Sequence, residues 1–137
     1  MSLIAGRTYT WDQLGHEFFF KPDYFKIGGG MLSSTARDAV LLITHPNGGQ
    51  SFDYQDQWDG RDLLYTGKGQ VGDQKVEREN RKVADNSADL FLFEAAGRRT
   101  LKFLGKVKCV DTYWSTGPDK FDIDRRVLKF RLRFLEG

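Results

Sequence analysis

The C-terminal segment of the chain alternates apolar and cationic residues, and no other pattern constrains the fold as strongly. Leucine and phenylalanine occupy positions 128, 130, 132 and 134, with lysine or arginine at each position between them. Successive side chains of a β-strand point to opposite faces of the sheet, so this period of two places one face in a core and the cations on the other. The segment is therefore predicted to be a half-buried strand.

Other segments predict further short strands. Asp38–Thr44 is rich in β-branched and leucine side chains, as expected of a buried strand. Leu90–Glu94 and Thr100–Leu104 flank the Gly97-Arg98 turn and predict a hairpin. The remaining predicted strands are Leu63–Thr66 and Lys106–Trp114.

Helices are predicted at two places. Thr10 and Gln13 have the spacing of a capping box, which favours a short helix from about residue 11. Asp73 to Asn86 is polar, with Val76 and Val83 at helical spacing, and predicts an exposed helix. With several short strands and little helix, the fold class is mainly β with short helices (α+β), a small curved sheet or barrel.

Length and composition bound the class of protein. A chain of 137 residues fits a single domain, 1–137. The lone cysteine, Cys109, excludes a disulfide framework and a cysteine-based zinc site, so we expect a reducing, cytoplasmic location. No apolar run has the length of a membrane span. Residues 1–3 and 136–137 look like cloning remnants, so we expect a domain excised from a longer protein.

Residues 46–74 hold the most distinctive side chains. Two glycine-rich turns, Gly48-Gly49 and Gly67-Lys68-Gly69, bracket a segment dense in aromatic residues and carboxylates. Aromatic rings can stack on a planar ring, a carboxylate can accept from an exocyclic amino group, and glycine permits close backbone approach. The segment therefore suggests a nucleobase pocket. The alternative is a polar hairpin whose aromatics complete a core.

Catalytic motifs are not found in the sequence. His16 and His45 are far apart and have no metal-ligand spacing. Glu77 and Glu79 lack the lysine that a PD-(D/E)xK nuclease needs two residues on, and the Gly67 turn is too short for a phosphate loop. We assign no catalytic residue, no metal ligand and no cofactor. A metal held by the acid-rich segment 53–62, in an enzyme acting by itself, remains an alternative.

One segment of the chain resembles the signature of SRA (SET- and RING-associated) domains. It begins with Tyr65-Thr66-Gly67-Lys68-Gly69-Gln70 and continues through Gly72-Asp73-Gln74, Asn80 and residues 83–86. The resemblance extends from about Tyr24 to Leu135. It implies a curved, PUA-like β-barrel that binds duplex DNA containing a modified cytosine, usually 5-methylcytosine. It also implies base flipping, in which the base leaves the helix and enters a protein pocket. Such domains occur in bacterial modification-dependent, type IV restriction endonucleases, often fused to an HNH nuclease.

The resemblance also implies roles for individual residues. Tyr65 and Tyr54 would stack on the two faces of the flipped base, with Trp58 as an alternative, and Asp56 would accept from the cytosine amino group. Thr66, before Gly67, would lie beside the methyl group. Asp73 and Asn80 would hold the loop and helix.

A second set of residues would contact the rest of the duplex. On the loop that includes Gly29 and Gly30, the side chain of Met31 or Leu32 would wedge into the base stack. Cations would contact phosphates without reading sequence. They are Lys26, Arg37, Lys68, Lys75, Arg78 and Arg81.

The expected partners are double-stranded DNA with a modified cytosine and a nuclease domain in the same parent chain, with no membrane. A homodimer is left open. A PUA-like RNA or small-ligand binder is a third, weaker alternative.

Overall fold

A computed structural model describes residues 2–21, 24–27, 30–45, 56–69 and 72–135, with the backbone alone for Lys26 and Ile27. Its elements in chain order are β1 (Thr8–Thr10), α1 (Trp11–Phe18), α2 (Tyr24–Ile27), β2 (Met31–Ser34), β3 (Ala39–Thr44), β4 (Gln57–Asp59), β5 (Asp62–Thr66), α3 (Arg78–Asp85), β6 (Asp89–Ala95), β7 (Thr100–Pro118) and β8 (Asp124–Phe134). Among the residues so described, no helix is long and apolar enough to cross a lipid bilayer.

The C-terminal strand has the predicted alternation. Leu128, Phe130 and Leu132 of β8 are buried in the core, while the side chains between them lie on the opposite face. β8 pairs antiparallel with β7 from Phe134 opposite Val107 to Asp124 opposite Pro118, a long two-stranded hairpin. This hairpin lies in the middle of the sheet, where β6 pairs with β7 and β5 pairs with β8.

The predicted strands Thr100–Leu104 and Lys106–Trp114 are one continuous strand, β7, rather than two. Gly105 joins them with a φ of +144°, which an L side chain rarely adopts. The pairing register with β6 shifts at this point, so the strand bends at a β-bulge without ending. The predicted hairpin around Gly97 is confirmed, since β6 and β7 pair directly across it.

The strands form one mixed sheet in the order β2-β3-β6-β7-β8-β5-β4, with β1 added to β7. β3 and β6 are parallel, and the other pairs are antiparallel. In the part of the chain described, no ladder closes the sheet into a complete barrel. The sheet is nevertheless curved enough for the Tyr65 hydroxyl of β5 to bond the main chain of Gly30 and Ile43 beside β2 and β3. The predicted fold class, mainly β with short helices, is confirmed.

Both faces of β3 are covered, which explains its unbroken apolar sequence. Val40 and Leu42 join one cluster with the inner residues of β5 and β8 and with Val83 of α3. Leu41 and Ile43 join a second cluster beneath α1 and α2. All six residues of β3 are therefore buried, as the sequence predicted for this strand.

The sequence predicted the start of α1 correctly but placed the start of α3 too early. The Thr10 capping box is confirmed: Thr10 Oγ1 accepts from Gln13 N at 3.1 Å, and Gln13 Oε1 accepts from Thr10 N at 2.8 Å. The second helix is shorter than predicted, because α3 begins only at Arg78. Residues 73 and 74 are bonded to β8 instead: Arg126 N donates to Asp73 Oδ1, and Gln74 N donates to the Arg126 carbonyl.

A carboxylate and two guanidinium groups tie β5 to β8. Asp62 Oδ2 accepts from Arg131 Nη1 at 3.0 Å, and Arg133 holds both Asp62 oxygens at 2.9 and 3.0 Å. The hydrogen bonds from Arg133 and then Arg131 lower the pKa of Asp62 from 3.8 to about 2. Such charge-assisted pairs are stronger than neutral hydrogen bonds.

Replacing Asp62 by asparagine should therefore destabilise the fold in a pH-dependent way. The pKa of Asp62 is depressed in the folded state, so its contribution is complete above its ordinary pKa and is lost as the pH falls towards 2. We expect Asp62→Asn to lower the free energy of unfolding at pH 7, with a difference from the parent protein that shrinks between pH 4 and pH 2. Urea unfolding at a series of pH values measures this. Asp122→Asn, at an exposed turn, is the control, and an equal pH dependence in both variants would contradict the prediction.

Candidate functional site

A partly buried carboxylate lies beside the end of β5. Asp56 Oδ1 accepts from the main-chain N–H of Thr66 at 2.8 Å, and Oδ2 accepts from Thr44 Oγ1, also at 2.8 Å. Thr44 is the last residue of β3 and Thr66 the last of β5. Asp56 therefore joins the ends of two strands that are far apart in the order of the sheet.

Burial raises the pKa of the Asp56 carboxyl above its ordinary value. The hydrogen bonds from Thr66 and Thr44, and the positive charge of Lys129, oppose this shift. Lys129 lies opposite Thr66 in the pairing of β5 with β8, and its Nζ is 2.7 Å from Thr66 Oγ1. The result is an acceptor with restricted access to water, in which a hydrogen bond is stronger than at an open surface.

Sequence reasoning did not identify Thr44 or Lys129 as part of this site. Thr44 is the end of an apolar strand, and Lys129 is one of several cations in an alternating segment. Lys129 could have been assigned to this site only from the pairing register of β8 with β5, because that register places Lys129 directly opposite Thr66.

Tyr65 is in the core of this structure. Its side chain is 2 % exposed and belongs to the cluster inside the curved sheet. Its hydroxyl donates to the Gly30 and Ile43 carbonyls and accepts from Ile43 N at 3.1 Å. The ring presents no face to a ligand here, so the predicted stacking on a base gives way to the alternative, a core tyrosine.

The turn after Tyr65 is held by buried polar side chains. Gln74 Nε2 donates to the carbonyls of Gly67 and Gly69 at 2.7 and 3.2 Å, and Gln74 Oε1 accepts from Leu128 N at 2.9 Å. Asn80 of α3 bonds both the N–H and the carbonyl of Lys68. A Cβ atom on Gly67 would lie 2.9 Å from the Leu128 Cβ and 2.8 Å from Gln74 Oε1, so glycine is needed for this close packing. The predicted role of Asp73 and Asn80 in holding the loop and helix is confirmed.

The predicted wedge is wrong. Met31 and Leu32 are 1 % and 0 % exposed, and each belongs to one of the two core clusters. The physical reason is that β2 is paired with β3 and lies between the core and the helices, so both faces are covered. Neither side chain can enter a base stack without leaving the core.

Other predicted pocket residues are distributed differently. Trp58 is 48 % exposed, pairs with Leu63 and stacks on Phe134 with 6.2 Å between ring centroids, so its ring already has an aromatic partner. Thr66 is buried beside Asp56, and its role beside the methyl group stays a prediction. Tyr54 and Gly29 lie outside the described residues, as does the side chain of Lys26.

Three of the predicted phosphate contacts surround one cleft. Lys68, Lys75 and Arg78 line a cavity of about 380 Å³ between the Gly67 turn and α3. Lys68 Nζ is 3.3 Å from Glu79 Oε1 and 3.2 Å from the Met31 carbonyl, and Asp73 and Glu77 also line the cleft. Its charges are therefore mixed rather than uniformly positive.

The structure does not bring Arg37 into this cleft, and Arg81 is exposed on α3 without lining it. Arg37 Nη1 bonds Glu17 Oε2 at 2.7 Å, beyond the opposite end of β2 from the Met31 carbonyl that Lys68 contacts. Arg37 instead lines a larger cavity of about 820 Å³, together with Glu17 and Phe18 of α1 and with Phe91 and Phe134. That cavity does not include Asp56 or its partners.

No group of three or more metal-binding side chains is present in the described ranges. Asp59 and Asp62, two carboxylates of the acid-rich segment, are occupied by Arg131 at 2.7 and 3.0 Å. A guanidinium at this distance would repel a cation from the same oxygens.

One comparison with known proteins identifies a family. Residues 26–137 match the family model described as the ScoMcrA-like SRA domain. No curated protein sequence matches the chain.

Several solved structures have the same fold. The phosphorothioation-dependent type IV restriction endonuclease ScoMcrA aligns with a TM-score of 0.73 and 17% identity, over 100% of this chain and 29% of that one. The SUVH5 SRA domain in complex with hemi-methylated CG DNA aligns with a TM-score of 0.67 and 15% identity, over 100% of this chain and 92% of that one. The modification-dependent TagI restriction endonuclease aligns with a TM-score of 0.64 and 18% identity, over 98% of this chain and 50% of that one.

The chain thus spans well under two thirds of the ScoMcrA and TagI chains. At these identities the structural likeness establishes the fold alone, whereas the family model covers most of the sequence. The resemblance seen in the Tyr65–Gln74 motif is confirmed, and the chain belongs to the ScoMcrA-like SRA domain family.

Proposed function

We propose that this domain recognises a modified base, 5-methylcytosine or a related cytosine, in duplex DNA, and that the base leaves the helix to bind at Asp56. The observation that carries the proposal is the partly buried Asp56 carboxylate, held by Thr66 N–H and Thr44 Oγ1. In this role the domain reads DNA for a restriction endonuclease.

The chemistry of the carboxylate suits cytosine. The exocyclic N4 amino group of cytosine is a hydrogen-bond donor, whereas thymine has an acceptor, O4, at the same place. The partly buried acceptor at Asp56 would therefore attract cytosine and repel thymine. A base stacked and paired inside a duplex cannot reach a side chain held between two strand ends, so binding there requires the base to be flipped, at a cost of about a few kcal/mol.

The fold family supports a modified-DNA partner. The SUVH5 SRA domain was solved with hemi-methylated CG DNA, and the sulfur-binding and SRA domains of ScoMcrA with phosphorothioated DNA. The cleft formed by Lys68, Lys75 and Arg78 would contact the phosphates beside the flipped base.

The ScoMcrA family supplies a second candidate, in which the domain contributes to binding phosphorothioated DNA. That modification is in the backbone, so it would be read at the Lys68–Arg78 cleft and not at Asp56. The two candidates therefore predict preferences for different duplexes.

The cleavage activity would lie in a nuclease domain elsewhere in the parent chain, which we propose to be of the HNH type and to act in the cytoplasm. The domain would need no cofactor of its own for recognition. The stoichiometry of the binding titrations described below measures whether one or two copies of the domain bind a duplex.

Binding of labelled short duplexes, followed by fluorescence anisotropy in EDTA, tests the proposal. The panel contains one position as cytosine, 5-methylcytosine, 5-hydroxymethylcytosine or thymine, and a further duplex with a phosphorothioate linkage. We expect one modified-cytosine duplex to bind at least about 10-fold tighter than the unmodified one, which corresponds to about 1.4 kcal/mol. A 2-aminopurine in the complementary strand, beside the base that pairs with the modified cytosine, should brighten on binding, because departure of the modified base loosens the stack there.

Preference for the phosphorothioate duplex alone would favour the second candidate. Equal binding of all duplexes, or tighter binding of structured RNA, would overturn the proposal. Nicking of DNA by the isolated domain when magnesium replaces EDTA would favour an enzyme acting by itself.

A further inference from the structure

A small cavity on the outer face of the sheet, the face that carries Lys129, is lined by Gln57, the residue that follows Asp56, and by Lys129, which bonds Thr66. Its volume is about 260 Å³. The strand register brings its lining together: Lys129 of β8 is opposite both Thr66 of β5 and Tyr113 of β7, and Gln57 directly follows Asp56. The lining residues that share this face are Gln57, Leu64, Tyr113, Ser115, Val127 and Lys129.

The lining has polar groups that the fold does not use. In the described ranges, the hydroxyls of Tyr113 and Ser115 and the side-chain amide of Gln57 make no hydrogen bond to another residue. The Tyr113 side chain is 36 % exposed. Lys129 adds a positive charge at the boundary with Thr66.

These groups match the base and the phosphate of a nucleotide. An exposed aromatic ring stacks on a base, an amide and hydroxyls bond base edges, and an ammonium group contacts a phosphate. The cavity is slightly smaller than the roughly 300–1,000 Å³ of sites that hold drug-sized ligands, so it suits one nucleotide and excludes a duplex.

We infer that this cavity holds the nucleotide next to the flipped base in the same strand, and that Tyr113 stacks on it. The inference rests on the proposed function and deepens it, because it adds a contact to the neighbouring base. Gln57 and Ser115 then contact the edge of that base, and Lys129 contacts the phosphate between the two nucleotides. The cavity would thus contribute to the flanking-sequence preference.

Substitution of Tyr113 combined with removal of the neighbouring base tests the inference. We expect Tyr113→Ala to weaken binding of the preferred modified duplex by about 10-fold, near the lower end of the contribution of a stacked base. Two further duplexes are abasic at the 5′ neighbour and at the 3′ neighbour of the modified base, respectively. For one of these two duplexes, Tyr113→Ala should change the affinity by less than about 2-fold, because the base on which Tyr113 stacks is then absent.

Trp114→Ala is the matched control. Trp114 is the next residue of the same strand, has a similar exposure of 41 % and points to the opposite face, where it packs on Arg126. We expect it to leave the affinity within about 2-fold. Tyr113→Leu, which removes the ring and keeps apolar volume, is the second variant, and thermal melting checks that each variant is folded.

Equal effects of Tyr113→Ala and Trp114→Ala would overturn the inference, as would a Tyr113→Ala effect that persists with both abasic duplexes. Either result would leave the proposed function standing, provided that the parent protein still prefers modified cytosine. If the parent protein shows no such preference, the proposed function and this inference fail together.

Discussion

Asp56→Asn should remove most of the discrimination between modified cytosine and thymine at the recognised position. The carboxylate presents only acceptors, so it pairs with the N4 amino group of cytosine and repels O4 of thymine. The asparagine amide presents both an acceptor and a donor and can satisfy either base. The loss of selectivity should be about 1–3 kcal/mol, the usual value of one good base contact. Competition binding with cytosine, modified-cytosine and thymine duplexes measures it.

The variant should still fold, because asparagine can keep both contacts of Asp56. Oδ1 can continue to accept from Thr66 N–H, and the amide nitrogen can donate to Thr44 Oγ1 once that hydroxyl rotates. Burial of a neutral group also costs less than burial of a charge. Thermal melting should therefore show little loss.

Asp59→Asn is the matched control for selectivity. Asp59 is the last residue of β4, three positions after Asp56, has a side chain that is 60% exposed and bonds Arg131. It should leave the cytosine preference unchanged. A folded Asp56→Asn protein with the same selectivity as the parent would refute the assignment of Asp56.

Gln74→Met should destabilise the whole domain and weaken DNA binding through the Gly67 turn. The substitution keeps the length of the side chain but removes bonds to the Gly67 and Gly69 carbonyls and to Leu128 N–H. Each buried polar group left without a partner costs about 1–3 kcal/mol, so the total is a large share of the stability of a typical domain. Urea unfolding monitored by circular dichroism measures the change.

Gln57→Met is the control for this experiment, since the Gln57 amide is exposed and bonds no other described residue. It should change the free energy of unfolding by about 0.5 kcal/mol or less. Similar destabilisation by the two substitutions would show that Gln74 does not anchor the turn.

Local patterns were sufficient where both the backbone and its burial follow from neighbouring residues. The β8 alternation and the Thr10 capping box each depend on a few adjacent positions, and both are present in the structure. The Tyr65–Gln74 motif likewise indicated the family that the domain model confirms.

Local patterns failed where burial depends on distant segments. Met31 and Leu32 follow a run of glycines and resemble an exposed loop tip, but two clusters built from other parts of the chain cover them. Tyr65 lies in the predicted motif, yet its hydroxyl is used to join β5 to Gly30 and Ile43. The helical spacing of Val76 and Val83 predicted a helix from residue 73, but β8 binds residues 73 and 74 in another conformation.

The order of residues alone determined that the chain is a mainly β domain of the SRA type, because strand alternation and the turn motif are read from nearest neighbours. Only the tertiary structure decided that Asp56, Thr44 and Lys129 form one site and that Tyr113 lies beside it. These residues come from four strands or strand ends, and the pairing register that aligns them is set by the packing of the whole core.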